Sequence, residues 1–174
     1  RKITLKNISN VDKELELTSY TEPVLLEDFC ESDNRILNKM FIKTEYDSKE
    51  QCLIAKRTNL EENSINNYMF TKLFIEKNTA DFSYETERSN FIGRNNNLSN
   101  PYKLEEELTN YTGNNIDPIL SLRNKVIVQA NDSISVYLIV GFSRSSEQIY
   151  ENINNFSTID KINKAYEISK LMHI

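Results

Sequence analysis

The sequence predicts an all-β, antiparallel fold with helix confined to its C-terminal end, and three observations carry that prediction. Apolar and polar residues alternate through most of the first half and again from Lys125 to Phe142. Short runs rich in Asn, Asp and Ser separate these stretches, as turns between strands do. No long helical pattern is interleaved with them, which argues for a sandwich and against βαβ units.

Taken in order, Ile3 and Leu5 alternate with Thr4 and Lys6, and Leu15 and Leu17 alternate with Glu14 and Glu16. Between these two half-buried strands, Asn7 to Lys13 carries Ser9, Asn10 and Asp12, so the pair is expected to form a hairpin that opens a meander. Met40 to Tyr46 and Cys52 to Arg57, joined through Asp47 to Gln51, form a second hairpin. Tyr68 to Ile75, Phe82 to Thr86, Lys125 to Ala130 and Ile134 to Phe142 complete a set of about eight strands. Tyr20, Phe41, Phe70, Phe74 and Tyr137 fall in these patterns as core aromatics.

Ser145, with Gln148 three residues on, makes a capping box that opens a helix near Ser146 to Asn155. Ser157 or Thr158 opens a second helix, in which Ile162, Ala165, Ser169 and Met172 recur at helical spacing. That apolar face either docks on the sandwich or links to a following domain. The expected division is a β-sandwich domain over 1–144 and a helical extension over 145–174.

The 174 residues, 39% of them apolar and 27% charged, suit one globular domain. The longest apolar run, Val136 to Val140, falls far short of the roughly 20 residues a membrane helix needs. Starting Arg1-Lys2-Ile3-Thr4-Leu5, with no leader-like apolar block, the chain reads as beginning inside a longer polypeptide. A net charge of -5, with no Lys/Arg run longer than Lys56-Arg57, argues against a nucleic-acid partner. Cys30 and Cys52 match neither a zinc spacing nor a disulfide scaffold and read as free structural thiols. Sequons at Asn7, Asn97, Asn110, Asn131 and Asn155 read as chance in an Asn-rich chain.

Chemistry has little to build on. His173 is the only histidine and has no spaced partner, which removes Ser-His-Asp and Cys-His arrangements and His-based zinc sites. No glycine-rich motif cradles a phosphate. Glu105-Glu106-Glu107 reads as a solvated surface, because adjacent residues do not face one another. No catalytic residue, metal or cofactor is therefore assigned to this chain. Nine Tyr and eight Phe without a Trp leave sugar stacking open as a function.

Residues 87 to 124 break the pattern: they hold two of the three Gly, two of the three Pro and Asn95-Asn96-Asn97, with little alternation. A long connection of this kind is where function is expected.

Across that segment run Glu85-Thr86-Glu87-Arg88, Phe91-Ile92-Gly93-Arg94, Asn100-Pro101, Gly113 to Ile119, and Ile119-Leu120-Ser121-Leu122-Arg123. They are similar to the ordered motifs "E-T-D-R-x-x-F-x-G-R" and "G-x-x-x-D-P-I-x-x-[LI]-R" of family 94 glycoside phosphorylases and cyclic β-1,2-glucan synthases, the older glycosyltransferase family 36. Ser19 to Leu25, Asn38 to Glu45 and Leu53 to Arg57 resemble the family's "T-S-Y-x-E", "F-x-K-L-F-V-x-T" and "L-L-A-x-R" stretches. Glu87 stands where the pattern has Asp, and Arg35-Ile36-Leu37-Asn38 where members show "H-P-A-F".

The resemblance implies an antiparallel supersandwich of the galactose mutarotase type, followed by linker helices and a catalytic (α/α)6 barrel that is not part of this chain. It implies an accessory carbohydrate-binding role toward a β-glucan or gluco-oligosaccharide, with the barrel of the same polypeptide as partner. In some members a dimer forms, and the sandwich lends a loop to the partner's sugar site. The parent would use inorganic phosphate as co-substrate if it phosphorolyses. It would be bacterial and cytoplasmic, or membrane-associated if a glucan synthase. Arg88, Phe91, Gly93, Arg94 and Asn95 are the sugar-binding residues this implies, with the guanidinium forks facing hydroxyls or phosphate. For Arg88 the alternative is an ion pair with Glu85 or Asp117 that fixes the loop. The competing functions are a free-standing carbohydrate-binding module and a mutarotase-like epimerase.

Overall fold

The computed structural model describes residues 1–26, 35–58, 66–75 and 82–172. Cys30 and His173 lie outside them. Among the described residues, eight strands form two antiparallel sheets. They are β1 (Lys2–Lys6), β2 (Lys13–Thr18), β3 (Ile42–Asp47), β4 (Cys52–Arg57), β5 (Asn67–Ile75), β6 (Phe82–Glu87), β7 (Pro118–Val128) and β8 (Ser133–Ser143). One sheet has the order β1-β8-β5-β4-β3 and the other β2-β7-β6. Short helices α1 (Arg35–Lys39) and α2 (Arg88–Ile92) sit at strand ends, while α3 (Ser146–Asn155) and α4 (Ile159–Met172) follow β8. No helix among the described residues is long and apolar enough to cross a membrane.

The β3–β4 hairpin forms as expected, in register from Ile42↔Arg57 to Asp47↔Cys52. The hairpin expected from Ile3 to Leu17 does not: β1 pairs with β8 and β2 with β7, in different sheets. Asn7 supplies the reason. Its buried carboxamide donates to the carbonyls of Val11, Val128 and Gln129 at 2.8, 2.9 and 3.1 Å and accepts from Ser9 N at 3.0 Å. The turn after β1 is thereby tied to the β7–β8 corner, and both corners cross from one sheet to the other side by side. Closing the first corner on itself would strand those buried carbonyls.

Between the sheets, Ile42, Leu53, Ala55, Leu120 and Leu122 form one cluster and Ile75, Val126, Val128, Ile134 and Val136 another. The outer face of the five-stranded sheet carries Cys52, Ile54, Tyr68, Phe70, Tyr137 and Ile139, covered by Ile149 and Ile153 of α3 and Ile162 of α4. Burying each isoleucine contributes about 1.5–3 kcal/mol, which is what holds these helices down. Ser145 caps α3, its hydroxyl accepting from Gln148 N at 3.1 Å. Along α4 only the first turns dock: Ile162 is buried and Ala165 half-buried, while Ser169 and Met172 are exposed.

The strand expected to begin at Lys125 begins at Pro118. Every residue from Pro118 to Asn124 is buried, because the sandwich covers one face and the segment before the strand covers the other. A strand buried on both faces shows no alternation.

Tight packing at Gly141 yields a first prediction. A Cβ there would stand 2.1 Å from the ring of Phe70, its cross-strand neighbour. Gly141→Ala is expected to destabilise the chain by about 1–3 kcal/mol as overpacking. Combining it with Phe70→Leu should cost less than the sum of the two in denaturant titrations. Cys52 supplies a second. Burial, then the Asp47 carboxylate, pushes its thiol up to about 12. In a Cys30→Ser chain, a thiol reagent at pH 8 should leave Cys52 unmodified until denaturant is added.

Candidate functional site

The segment from α2 to Asp117 lies as a roof over the outer face of the three-stranded sheet. Its apolar underside is Phe91, Ile92 and Leu108, packed on Ile119 of β7 and on Tyr20. Phe91 is 3% exposed and its ring lies 5.2 Å from that of Tyr20, so this candidate residue holds the roof from below. Its side chain is not offered to a ligand.

Polar pins complete the attachment. Glu85, fully buried, accepts from Thr86 N and Glu87 N with one carboxylate oxygen and from Thr109 N and Oγ1 with the other. Arg123, 6% exposed, donates to Thr18 Oγ1 and Glu106 O, each at 2.9 Å, and to the carbonyl of Lys103. Asn115 donates to Thr44 Oγ1 on β3 and to Thr86 O and Oγ1 on β6, joining the neighbouring edges of the two sheets.

Arg88 sits in a network of charges at the other end of the roof. Its Nε lies 3.2 Å from the Tyr20 hydroxyl and 3.3 Å from Glu22, and its Nη1 3.7 Å from Asp117. Lys39, from the last turn of α1, donates to Glu22 at 3.2 Å and to Asp117 at 2.5 Å. Tyr20 donates to Glu22 at 2.7 Å. Burial works to raise the Glu22 pKa, but the Tyr20 hydroxyl, the Lys39 ammonium and the Arg88 guanidinium together bring it below the ordinary value. Burial, then the Glu22 bond, raises the Tyr20 hydroxyl. Of the two internal partners weighed for Arg88, Asp117 is present and Glu85 is engaged elsewhere. The Tyr20-Thr21-Glu22 stretch carried the other partner, but sequence gave no sign that it would meet Arg88.

The candidates Gly93 and Arg94 line a cleft of about 510 Å³ together with Ser89, Asn90, Tyr102, Lys103 and Thr109, and the candidate Asn95 is not among its lining residues. Gly93 has φ +78°, and a Cβ there would lie 2.5 Å from Cβ of Tyr102, so its close approach is to this chain's own ring. Asn95, at φ 69°, turns the chain away, and both Arg94 and Asn95 are exposed. Tyr102 opens a 3₁₀ turn (Tyr102–Leu104) after buried Pro101 and is 48% exposed. Sequence reasoning missed it; an aromatic outside every strand pattern, directly after a loop proline, was the available signal.

The motifs that this strand and its roof carry belong to a sequence with known relatives. The family model for the glycosyl hydrolase 94 supersandwich domain matches residues 1–159. The chain belongs to that family. Its sequence is 29% identical over 142 residues to the cyclic beta-(1,2)-glucan synthase NdvB of Rhizobium meliloti (strain 1021). That stretch covers 78% of this chain and 5% of the relative's length.

The charge network in this supersandwich domain makes stability depend on acid. Because the folded pKa of Glu22 is below its ordinary 4.5, the carboxylate contributes stability above about pH 4.5 that is lost as pH falls through the folded value. Glu22→Gln should therefore lower the melting temperature more at pH 7 than at pH 3. An equal drop at both would show that the carboxylate's charge is not what stabilises.

Proposed function

We propose that this supersandwich domain is the non-catalytic accessory part of an enzyme that builds or phosphorolyses β-linked glucans, and that the cleft beside α2 is one wall of a sugar site. The cleft carries the reading. An exposed aromatic ring, hydroxyls, an amide and two cations line it, the mixture of flat apolar face and polar rim that sugars bind. None of the cleft-lining residues is a carboxylate, so the acid that breaks or makes a glycosidic bond would come from a catalytic domain of the same polypeptide. Family membership supports this division of labour, and the relative's name supports a β-glucan as the ligand class. If the parent phosphorolyses, inorganic phosphate would be the co-substrate of that other domain.

The exposed ring of Tyr102 would serve a free-standing carbohydrate-binding module equally well, and kinetics separates the two. In the full-length enzyme, Arg94→Ala should weaken use of the acceptor sugar by about 1–3 kcal/mol, the scale of a lost charged hydrogen bond. Its melting temperature should hardly move, since Arg94 is exposed and pins nothing among the described residues. A lowered melting temperature with unchanged kinetics would make the loop a structural brace. Glucan binding by the domain with no effect on turnover would favour the binding module.

A further inference from the structure

We propose that Lys39 is a positioning residue for the sugar cleft: it is not among the lining residues, but its ammonium fixes the two carboxylates that hold Arg88, and Arg88 holds the helix that forms one wall. This rests on reading the cleft as one wall of a sugar site and adds what keeps that wall in place.

The wall cannot hold itself. Four of the seven cleft-lining residues, Ser89, Asn90, Gly93 and Arg94, lie on α2 or directly after it. At five residues α2 is far below the length of about 12–15 at which an isolated helix becomes stable, so contacts outside it decide how it lies. Phe91 and Ile92 seat it on Ile119 and Leu108. Apolar contact is not directional and leaves the rotation of the helix about its own axis to polar contacts. These gather at its start. The Arg88 N–H donates to Asp117 O at 2.9 Å while the guanidinium meets Tyr20, Glu22 and Asp117. Glu87 accepts from Ser89 N and Ile116 N, so its hold also runs through the segment at Asp117. Ser89 and Asn90 follow Arg88 directly, and a shift of Arg88 carries them with it.

Lys39 holds both acids in turn. Its ammonium, on the last residue of α1 and with the side chain 9% exposed, donates to Glu22 at 3.2 Å and to Asp117 at 2.5 Å. The approach of Arg88 Nη1 to Asp117, at 3.7 Å, is longer than a hydrogen bond, so it lasts only while that carboxylate is kept near. Brought to one ammonium, the two carboxylates repel each other once it is gone. Arg88 then follows one of them, and α2 turns with it.

Steady-state kinetics of the full-length enzyme, with a β-1,2-linked gluco-oligosaccharide as acceptor, and amide hydrogen exchange on the same protein test the role. Lys39→Met should raise the KM for the acceptor about fivefold or more while kcat stays within about twofold. The Gly93 N–H, which bonds to Ser89 O at 2.9 Å, should exchange faster. Lys39→Gln, which can still donate a hydrogen bond, serves if Lys39→Met does not fold and should act in the same direction. Lys72→Met is the matched control. Lys72 is also 9% exposed and paired with a carboxylate, Glu50 at 3.3 Å, but on the outer face of the five-stranded sheet beside Cys52. Its replacement should leave both KM and α2 exchange unchanged. An equal rise in KM with Lys72→Met would overturn the proposal, as would faster α2 exchange without a change in KM or a raised KM without faster exchange. If Arg94→Ala weakens acceptor use and the Lys39 variants do not, the positioning role falls while the sugar site stands. If neither changes KM, both fall.

Discussion

The buried guanidinium of Arg123 is the contact on which the rest of the site depends. It sits in β7, the central strand of the three-stranded sheet, with only 6% of its surface exposed and Glu16 3.6 Å from its Nη1. Left without partners, a buried charge costs several kcal/mol. The carbonyls of Lys103 and Glu106 answer it from above and Thr18 from the side. The connection must therefore lie across the sheet, and once it does, Phe91, Ile92 and Leu108 bury themselves on Ile119. Glu85 repeats the arrangement one strand away through Thr109. What looks like a long surface loop is a second layer of the fold, built around two buried charges of opposite sign.

That arrangement separates the two arginines of the loop. Arg88 is spent inside, against Glu22, Asp117 and Tyr20, and its role is to close the end of the roof. Arg94, past the left-handed turn at Gly93, is exposed and has no such partner among the described residues. Lys39 shows the same economy, since its ammonium is shared between both acids of the network. Fixed charges below and open charges above are the physical difference between a brace and a binding surface.

Alternation made most of the strands legible in sequence, and it failed where its physical basis fails. β3, β4, β5 and β8 each appear within two residues of the expected ends. The first half of β7 could not be read that way, since both of its faces are covered and nothing polar marks an outward side. The hairpin from Ile3 to Leu17 was misplaced because turn residues announce a change of direction but not a change of sheet; only the carboxamide of Asn7, bonded across more than a hundred residues, decides that. Gly93 and Arg94 were visible as loop residues, whereas Tyr102 needed the fold to bring it beside them.

The Asn115 clip has a consequence outside the sugar site. Bare edges of sheets recruit other strands, and this sandwich exposes several. Asn114 bridges to Lys43 through its backbone and the Asn115 carboxamide bonds to both Thr44 and Thr86, so the chain itself covers the neighbouring β3 and β6 edges there. At the far side β1 presents Lys2, Thr4 and Lys6 to solvent. One edge is sealed and the opposite one is guarded by positive charge, which protects a β-rich chain from aggregation while leaving the cleft side open.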